Sequence, residues 1–145
     1  MWVLDGIIAG LIAGIFMGIL SQLGYWFGVI RSHLIVVDGA FALRMLRRDS
    51  GTPATYSVGI IIHLATSIIF GIVYVAIAQL AGFTSQWFVA VAVYVFILWL
   101  AMLIVALPIA GQGFMGNKIR GAVWLEQLIL HVIFGFSFWW ALGIV

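Results

Sequence analysis

The longest uncharged stretch of the chain extends from Ser50 to Asn117 and contains 68 residues without a formal charge. A membrane-spanning helix needs about 20 apolar residues, so this stretch predicts two spans joined by a turn. Only 7% of the 145 residues are charged, whereas soluble domains average roughly 25%. Because the chain has too few polar side chains to cover a water-facing surface, we expect lipid to be its solvent.

Two further apolar stretches complete the predicted fold. Residues 7 to 30 carry no charge, and the segment from Gly121 to Val145 carries only Glu126. We predict an all-α bundle of four transmembrane helices that forms a single integral-membrane domain over residues 1–145. The predicted helices cover about 4–30, 56–80, 87–107 and 122–145, and Pro108 is expected to end the third. The N-terminus lacks the basic region and cleavage site of a signal peptide, so we expect helix 1 to be retained.

The charges predict the orientation of this bundle. Every basic residue lies in the loops of one predicted side of the membrane, whereas the other side has none and carries Asp5 as its one charged residue. The positive-inside rule then makes the basic loops cytoplasmic and both termini external, in an inner (plasma) membrane. Cysteine is absent, which excludes disulfides and thiolate metal sites. All six basic residues lie in the two loops of one predicted side, namely Arg31, Arg44, Arg47, Arg48, Lys118 and Arg120.

The first basic loop predicts a short amphipathic helix over about 39–49. Asp38 is a candidate N-cap and Gly51 a candidate stop signal. Arg44, Arg47 and Arg48 would share one face of this helix, and apolar residues the other. We expect the helix to lie on the membrane surface with its arginines at anionic lipid headgroups; the alternative is docking on the acidic surface of a partner protein.

Helix 1 contains a ladder of glycines at every fourth position, Gly6, Gly10, Gly14 and Gly18. Such a face is costly in a water-exposed helix, because each glycine costs about 1 kcal/mol relative to alanine. In lipid, small residues let two helices approach closely. The ladder therefore predicts a helix-packing face, directed at another helix of this chain or at a partner.

Two histidines lie within the predicted spans, where polar side chains are costly enough that each suggests a function. At about 1.5 Å per residue, His63 and His131 lie about 10 Å and 14 Å from the basic side, and each is followed four residues later by a small residue, Ser67 or Gly135. Three interpretations stay open: axial ligation of a b-type haem iron between helices 2 and 4, a two-histidine metal or proton site, and hydrogen bonds between neighbouring helices. Gln127 lies one turn before His131 and is expected to orient its imidazole.

Glu126 is the one acid of the predicted fourth helix. It is either a proton-coupling carboxylate or an acid that is favourable in the first turn of a helix. The sequence has no Ser/His/Asp set, no HExxH and no phosphate-binding loop, because the glycine spacing from Gly111 to Gly116 follows no β-strand. We therefore do not expect the chain to be catalytic by itself, or to bind nucleic acid.

Several short motifs together resemble uncharacterised four-span bacterial inner-membrane protein families. The resemblance covers most of the chain and implies four helices and two histidines that belong together. These families have no established activity to transfer. The motifs are the ladder from Gly6 to Gly18; His63 with Phe70, Gly71 and Tyr74; Pro108 with Gly111 and Gly113; and His131 with Phe134 and Gly135.

The short loops and the shortage of intramembrane acids favour one functional class. We expect a small accessory subunit of a larger respiratory or photosynthetic electron-transfer complex, with other membrane-protein subunits and the bilayer as partners. Its cofactor would be haem b held by His63 and His131, or a bound lipid or quinone. The alternative is a small four-helix transporter or channel that acts as a homo-oligomer, for which a central charged residue is expected.

Overall fold

The computed structural model describes residues 1–51, 53–119 and 121–145, and within these ranges it is all-helical. Four helices are long and apolar enough to cross a membrane, which confirms the predicted helical bundle and indicates a multi-pass membrane protein in contact with lipid. The fifth helix is short and lies in the first loop. The helices are α1 (Trp2–Trp26), α2 (Leu34–Met45), α3 (Pro53–Ala81), α4 (Phe88–Ile109) and α5 (Val123–Leu142).

Helix α1 is the central element of the bundle, and it packs against both α3 and α5, while α4 packs on α5. We call the end of the bundle where α1 ends and α3 begins the basic end. Helices α3 and α4 meet near the opposite end, where the Tyr94 hydroxyl donates to the Phe70 carbonyl at 2.8 Å and the rings of Tyr74 and Tyr94 are 5.2 Å apart. Towards the basic end α3 and α4 separate and leave a cavity between them.

The glycine ladder of α1 lies against α3. A side chain at Gly6 would come within 2.8 Å of the Gly71 carbonyl oxygen, and one at Gly10 would collide with the backbone of Ser67. Gly14 faces the Ser67 side chain, and Gly18 faces the imidazole of His63. The two helices therefore approach backbone to backbone along the ladder, in antiparallel orientation.

Helix α1 ends earlier than predicted, at Trp26 rather than near Ile30. Gly28 has a φ of +71°, which glycine adopts without strain. The N–H groups of Gly28 and Val29 bond the carbonyls of Tyr25 and Gly24 at 3.0 and 2.9 Å, which is the Schellman arrangement that closes a helix.

Helix α2 begins and ends earlier than the predicted 39–49. Its N-cap is His33, whose Nδ1 accepts the Val36 N–H at 3.4 Å, so the prediction of Asp38 as the cap is wrong. Its first half is buried against α3. The end comes well before Gly51, because Arg47 has a φ of +55° and the Arg48 N–H bonds the Leu43 carbonyl at 2.7 Å.

The early end of α2 separates Arg44 from Arg47 and Arg48. Arg44 lies in the last turn of the helix, whereas Arg47 and Arg48 follow it. They therefore do not share one helical face as predicted. All three are exposed, and their binding to lipid headgroups stays a prediction.

Helix α4 contains a π-helical segment, Met102–Ala106, and continues to Ile109 through Pro108. The helix therefore ends two residues later than the predicted residue 107, and Pro108 lies inside its last turn. Proline lacks an N–H and its ring clashes with the carbonyl four residues earlier. The π-helical segment has a wider turn, which accommodates the proline, because the Leu107 N–H bonds the Met102 carbonyl, five residues back.

The first loop is held to α5 by Glu126 and to the second loop by Gln112. Its Oε2 accepts the backbone N–H groups of Arg31 and Ser32 at 2.9 and 3.1 Å. The Ser32 hydroxyl, which is fully buried, donates to Oε1 of Gln112 in the second loop at 2.8 Å. Glu126 therefore anchors the segment that leads into α2.

Candidate functional site

A cavity of about 270 Å³ lies between α3 and α4, with α1 and α5 behind it and α2 towards the basic end. Its mouth opens at the outer surface of the bundle, where Phe70 is 38% exposed and Val105 49% exposed. The walls are mostly apolar, and the π-helical segment contributes Met102, Val105 and Ala106. Five polar side chains reach the wall, those of Asp38, His63, Thr66, Ser67 and His131.

His63 is held between two other helices. Its Nδ1 lies 2.9 Å from Oδ2 of Asp38 in α2, and its Nε2 lies 2.9 Å from the Gly14 carbonyl oxygen in α1. A side chain at Gly18 would sit 3.4 Å from the imidazole. The last two glycines of the ladder therefore leave the space in which the ring reaches the α1 backbone.

The hydrogen bonds of His63 fix its tautomer. A carbonyl oxygen only accepts, so Nε2 carries a proton and donates it to Gly14. Nδ1 and the Asp38 carboxyl then share one further proton, either as imidazolium and carboxylate or as neutral imidazole and carboxylic acid. In both forms the pair has no net charge. Burial raises the pKa of the Asp38 carboxyl, and the hydrogen bond with His63 opposes that rise.

Two glycine contacts bring Asp38 to this position. Gly39 of α2 lies directly against the backbone of Thr55, and Gly59 of α3 lies directly against the backbone of Ile35. Neither contact leaves room for a Cβ atom. The close crossing of α2 and α3 therefore places Asp38, next to Gly39, beside the imidazole of His63 one turn beyond Gly59.

His131 of α5 lies on the opposite wall. Its Nδ1 is 2.8 Å from the main-chain carbonyl oxygen of Gln127, so Nδ1 carries the proton and donates it. No partner for Nε2 is present in the described ranges. The residue is 8% exposed, and its ring also borders a second apolar cavity of about 180 Å³ between α4 and α5.

The structure brings together three of the predicted site residues, because His63, His131 and Ser67 line one cavity. Gly135 lines the second cavity instead, against Val95. Gln127 lines neither. Its main-chain carbonyl, rather than its side chain, contacts the His131 imidazole, while its amide Nε2 reaches the Ser32 hydroxyl at 3.4 Å.

This arrangement does not fit ligation of one haem iron by both histidines. His131 presents a free Nε2, but Nε2 of His63 is occupied by Gly14 and Nδ1 by Asp38. The cavity also lies just below the range of about 300–1,000 Å³ that holds drug-sized ligands, and haem is larger than most of these. Within the described part of the chain, no group of three or more His, Asp or Glu side chains is placed to hold a metal ion.

Two features of the site were not predicted from the sequence. One is Asp38 as the partner of His63, for which a single acid inside the apolar stretch from Leu34 to Leu43 was an available signal. The other is the π-helical segment Met102–Ala106, which lies just before Pro108. Such segments often occur at functional sites.

Comparison with known proteins does not define a family for this fold and site. No family model matches the chain, and no curated protein or solved structure matches it.

Proposed function

We propose that the chain is a small integral-membrane accessory subunit whose cavity between α3 and α4 holds an amphiphilic molecule of the bilayer, such as a lipid or a quinone. The observation that carries this proposal is the combination of a lateral mouth with mostly apolar walls and a cluster of polar groups inside. Apolar pockets with a few convergent polar groups are typical of ligand sites.

The dimensions favour a ligand that is only partly enclosed. A volume of about 270 Å³ accommodates a headgroup and the adjoining part of a chain or ring. The remaining tail would leave between Phe70 and Val105, both partly exposed at the mouth. A molecule already dissolved in the bilayer would reach such a site without passing through water.

Thermal unfolding in mild detergent tests this proposal. We expect that returning a native lipid extract to delipidated protein raises the unfolding temperature, since a ligand that binds only the folded state stabilises it. Ala101 lines the cavity and is exposed at its mouth, whereas Val93 is exposed on α4 and does not line the cavity. Ala101→Phe should therefore abolish the rise, and Val93→Phe should not. An equal rise in both variants would mean that the lipid acts outside the cavity.

The same proposal places the chain in a respiratory or photosynthetic electron-transfer complex. It also places the chain in an inner membrane, with the basic end in the cytoplasm. The short loops support it, because they leave the helix faces as the main surfaces for other subunits. Co-purification from native membranes should recover those subunits. Native electrophoresis at the size of one chain plus a micelle would contradict it.

Haem ligation stays a prediction of the sequence, and it would require His63 to leave Gly14. Its test is an absorbance spectrum of protein purified from native membranes. A Soret band that disappears in His63→Ala would establish it, and the absence of a Soret band would exclude it.

A second candidate is a proton-coupled transporter that acts as a homo-oligomer. The specific observation in its favour is the Asp38–His63 pair, which shares one proton at the wall of an open cavity. Its test is solute-dependent proton movement in proteoliposomes, which Asp38→Asn should abolish.

A further inference from the structure

The two hydroxyl groups at the cavity wall both donate their hydrogen bond to main-chain carbonyls of α3. Thr66 donates to the Ile62 carbonyl at 2.8 Å, with the His63 carbonyl 3.1 Å away. Ser67 donates to the His63 carbonyl at 2.7 Å. Each hydroxyl has one hydrogen, so what remains towards the cavity is the capacity to accept.

Of the two histidines, only His131 leaves an acceptor open to the cavity. Nε2–H of His63 is directed to Gly14, and its Nδ1 is engaged with Asp38. His131 donates through Nδ1 to the Gln127 carbonyl, so its Nε2 is an acceptor without a partner among the described residues. Only 8% of the residue is exposed. An acceptor without a partner in mostly apolar surroundings is poorly compensated, and a ligand with an O–H group would satisfy it.

The charge of the cavity wall also limits which headgroups a ligand can carry. The Asp38–His63 pair is neutral overall, and His131 has no carboxylate beside it among its described contacts to stabilise an imidazolium. A charged headgroup would therefore enter a mostly apolar cavity without a counter-ion, which is strongly unfavourable.

We infer that the ligand headgroup is a neutral hydroxyl, an alcohol or a phenol, that donates its hydrogen bond to Nε2 of His131. This inference rests on the proposed function and specifies the class of amphiphile. A long-chain alcohol, a monoacyl or diacyl glycerol and the reduced, phenolic form of a quinone belong to the class. A phospholipid with a charged headgroup does not.

Two probes of equal chain length test the inference: 1-hexadecanol, which has a donor, and hexadecyl methyl ether, which has none. Binding to delipidated protein is measured by native mass spectrometry. We expect the alcohol to bind about tenfold more tightly than the ether, as for one well-formed hydrogen bond to a buried group. His131→Phe should bring the ratio close to one, and His131→Gln, whose amide oxygen also accepts, should restore part of it.

The outcomes separate this inference from the proposed function. Equal binding of alcohol and ether to the unmodified protein, or binding of neither, would overturn the hydroxyl class. The amphiphile proposal is overturned separately, if the native lipid extract gives no stabilisation. Tighter binding of hexadecyltrimethylammonium than of the alcohol would overturn the neutral headgroup. If His131→Phe does not fold, as judged by gel filtration, the ratio in the unmodified protein and its change in His131→Gln decide.

Discussion

Nδ1 of His63 lies 2.9 Å from Oδ2 of Asp38, and this contact joins a long apolar helix to the short helix of the first loop. Both side chains are largely buried, with 7% and 16% of their surface exposed. The pair therefore links the position of α2 to the wall of the cavity. A change at either residue should affect the stability of the fold as well as the site.

Removal of the Asp38 carboxyl should destabilise the protein, because Nδ1 of His63 would lose its partner. We expect Asp38→Ala to lower the free energy of unfolding by about 1–3 kcal/mol, and Asp38→Asn, whose amide still bonds the ring, to lower it less. Denaturant unfolding followed by circular dichroism measures both. Asp49→Ala, at an exposed position, is the control, and an equal loss there would contradict a specific role of the pair.

The glycine ladder should tolerate no added methyl group where α1 touches α3. Gly10→Ala would press on the Ser67 carbonyl, and overpacking of this kind costs about 1–3 kcal/mol. Gly51→Ala is the matched control, because no atom lies within 4 Å of the added Cβ. Unfolding in sodium dodecyl sulfate should distinguish the two, and an unchanged stability of Gly10→Ala would refute the close crossing.

Acidification should weaken the start of α2, because burial lowers the pKa of His33. A lowered pKa in the folded state means that the stability is present above the ordinary value of 6.5 and is lost as the pH falls through the lowered value. Protonation of Nδ1 also removes the acceptor for the Val36 N–H.

His33→Asn provides the comparison, because asparagine caps a helix and does not titrate. Between about pH 7.5 and 5, the unmodified protein should lose more stability than this variant. The unfolding temperature at each pH measures the difference. Parallel pH profiles would show that His33 does not act as a neutral cap.

Glu126 should act as an acceptor for the first loop rather than as a mobile proton carrier. Glu126→Ala leaves the N–H groups of Arg31 and Ser32 without this acceptor, and we expect a loss of about 1–3 kcal/mol. Glu126→Gln keeps one acceptor oxygen and should lose less. Hydrogen exchange at residues 31 and 32 is the readout, and equal protection in the alanine variant would contradict the contact.

The lengths of the apolar stretches were sufficient to predict four long helices, because the thickness of a bilayer fixes the length of a span. The sequence also contains a local signal for the end of α1, namely Gly28, after which the chain reverses at Val29 and Ile30. The prediction extended the helix to Ile30 because those residues are apolar, and apolarity alone does not reveal a left-handed residue.

The site was less accessible to sequence reasoning. Matching depth placed His63 and His131 at one level, and in the structure both line the same cavity from opposite walls. Asp38 was interpreted by a local rule as a helix cap, whereas its carboxyl contacts a residue 25 positions away. Contacts of this kind depend on how α2 crosses α3 at Gly39 and Gly59, and spacing along the chain does not encode that crossing.

The central claim is that an amphiphile occupies the cavity between α3 and α4, and native mass spectrometry of gently purified protein tests it most directly. We expect the unmodified protein and Val93→Phe to retain one bound molecule of lipid-like mass, and Ala101→Phe, which fills the mouth, to retain none. An unmodified protein without any bound mass, or an Ala101→Phe variant that retains the same mass, would contradict the claim.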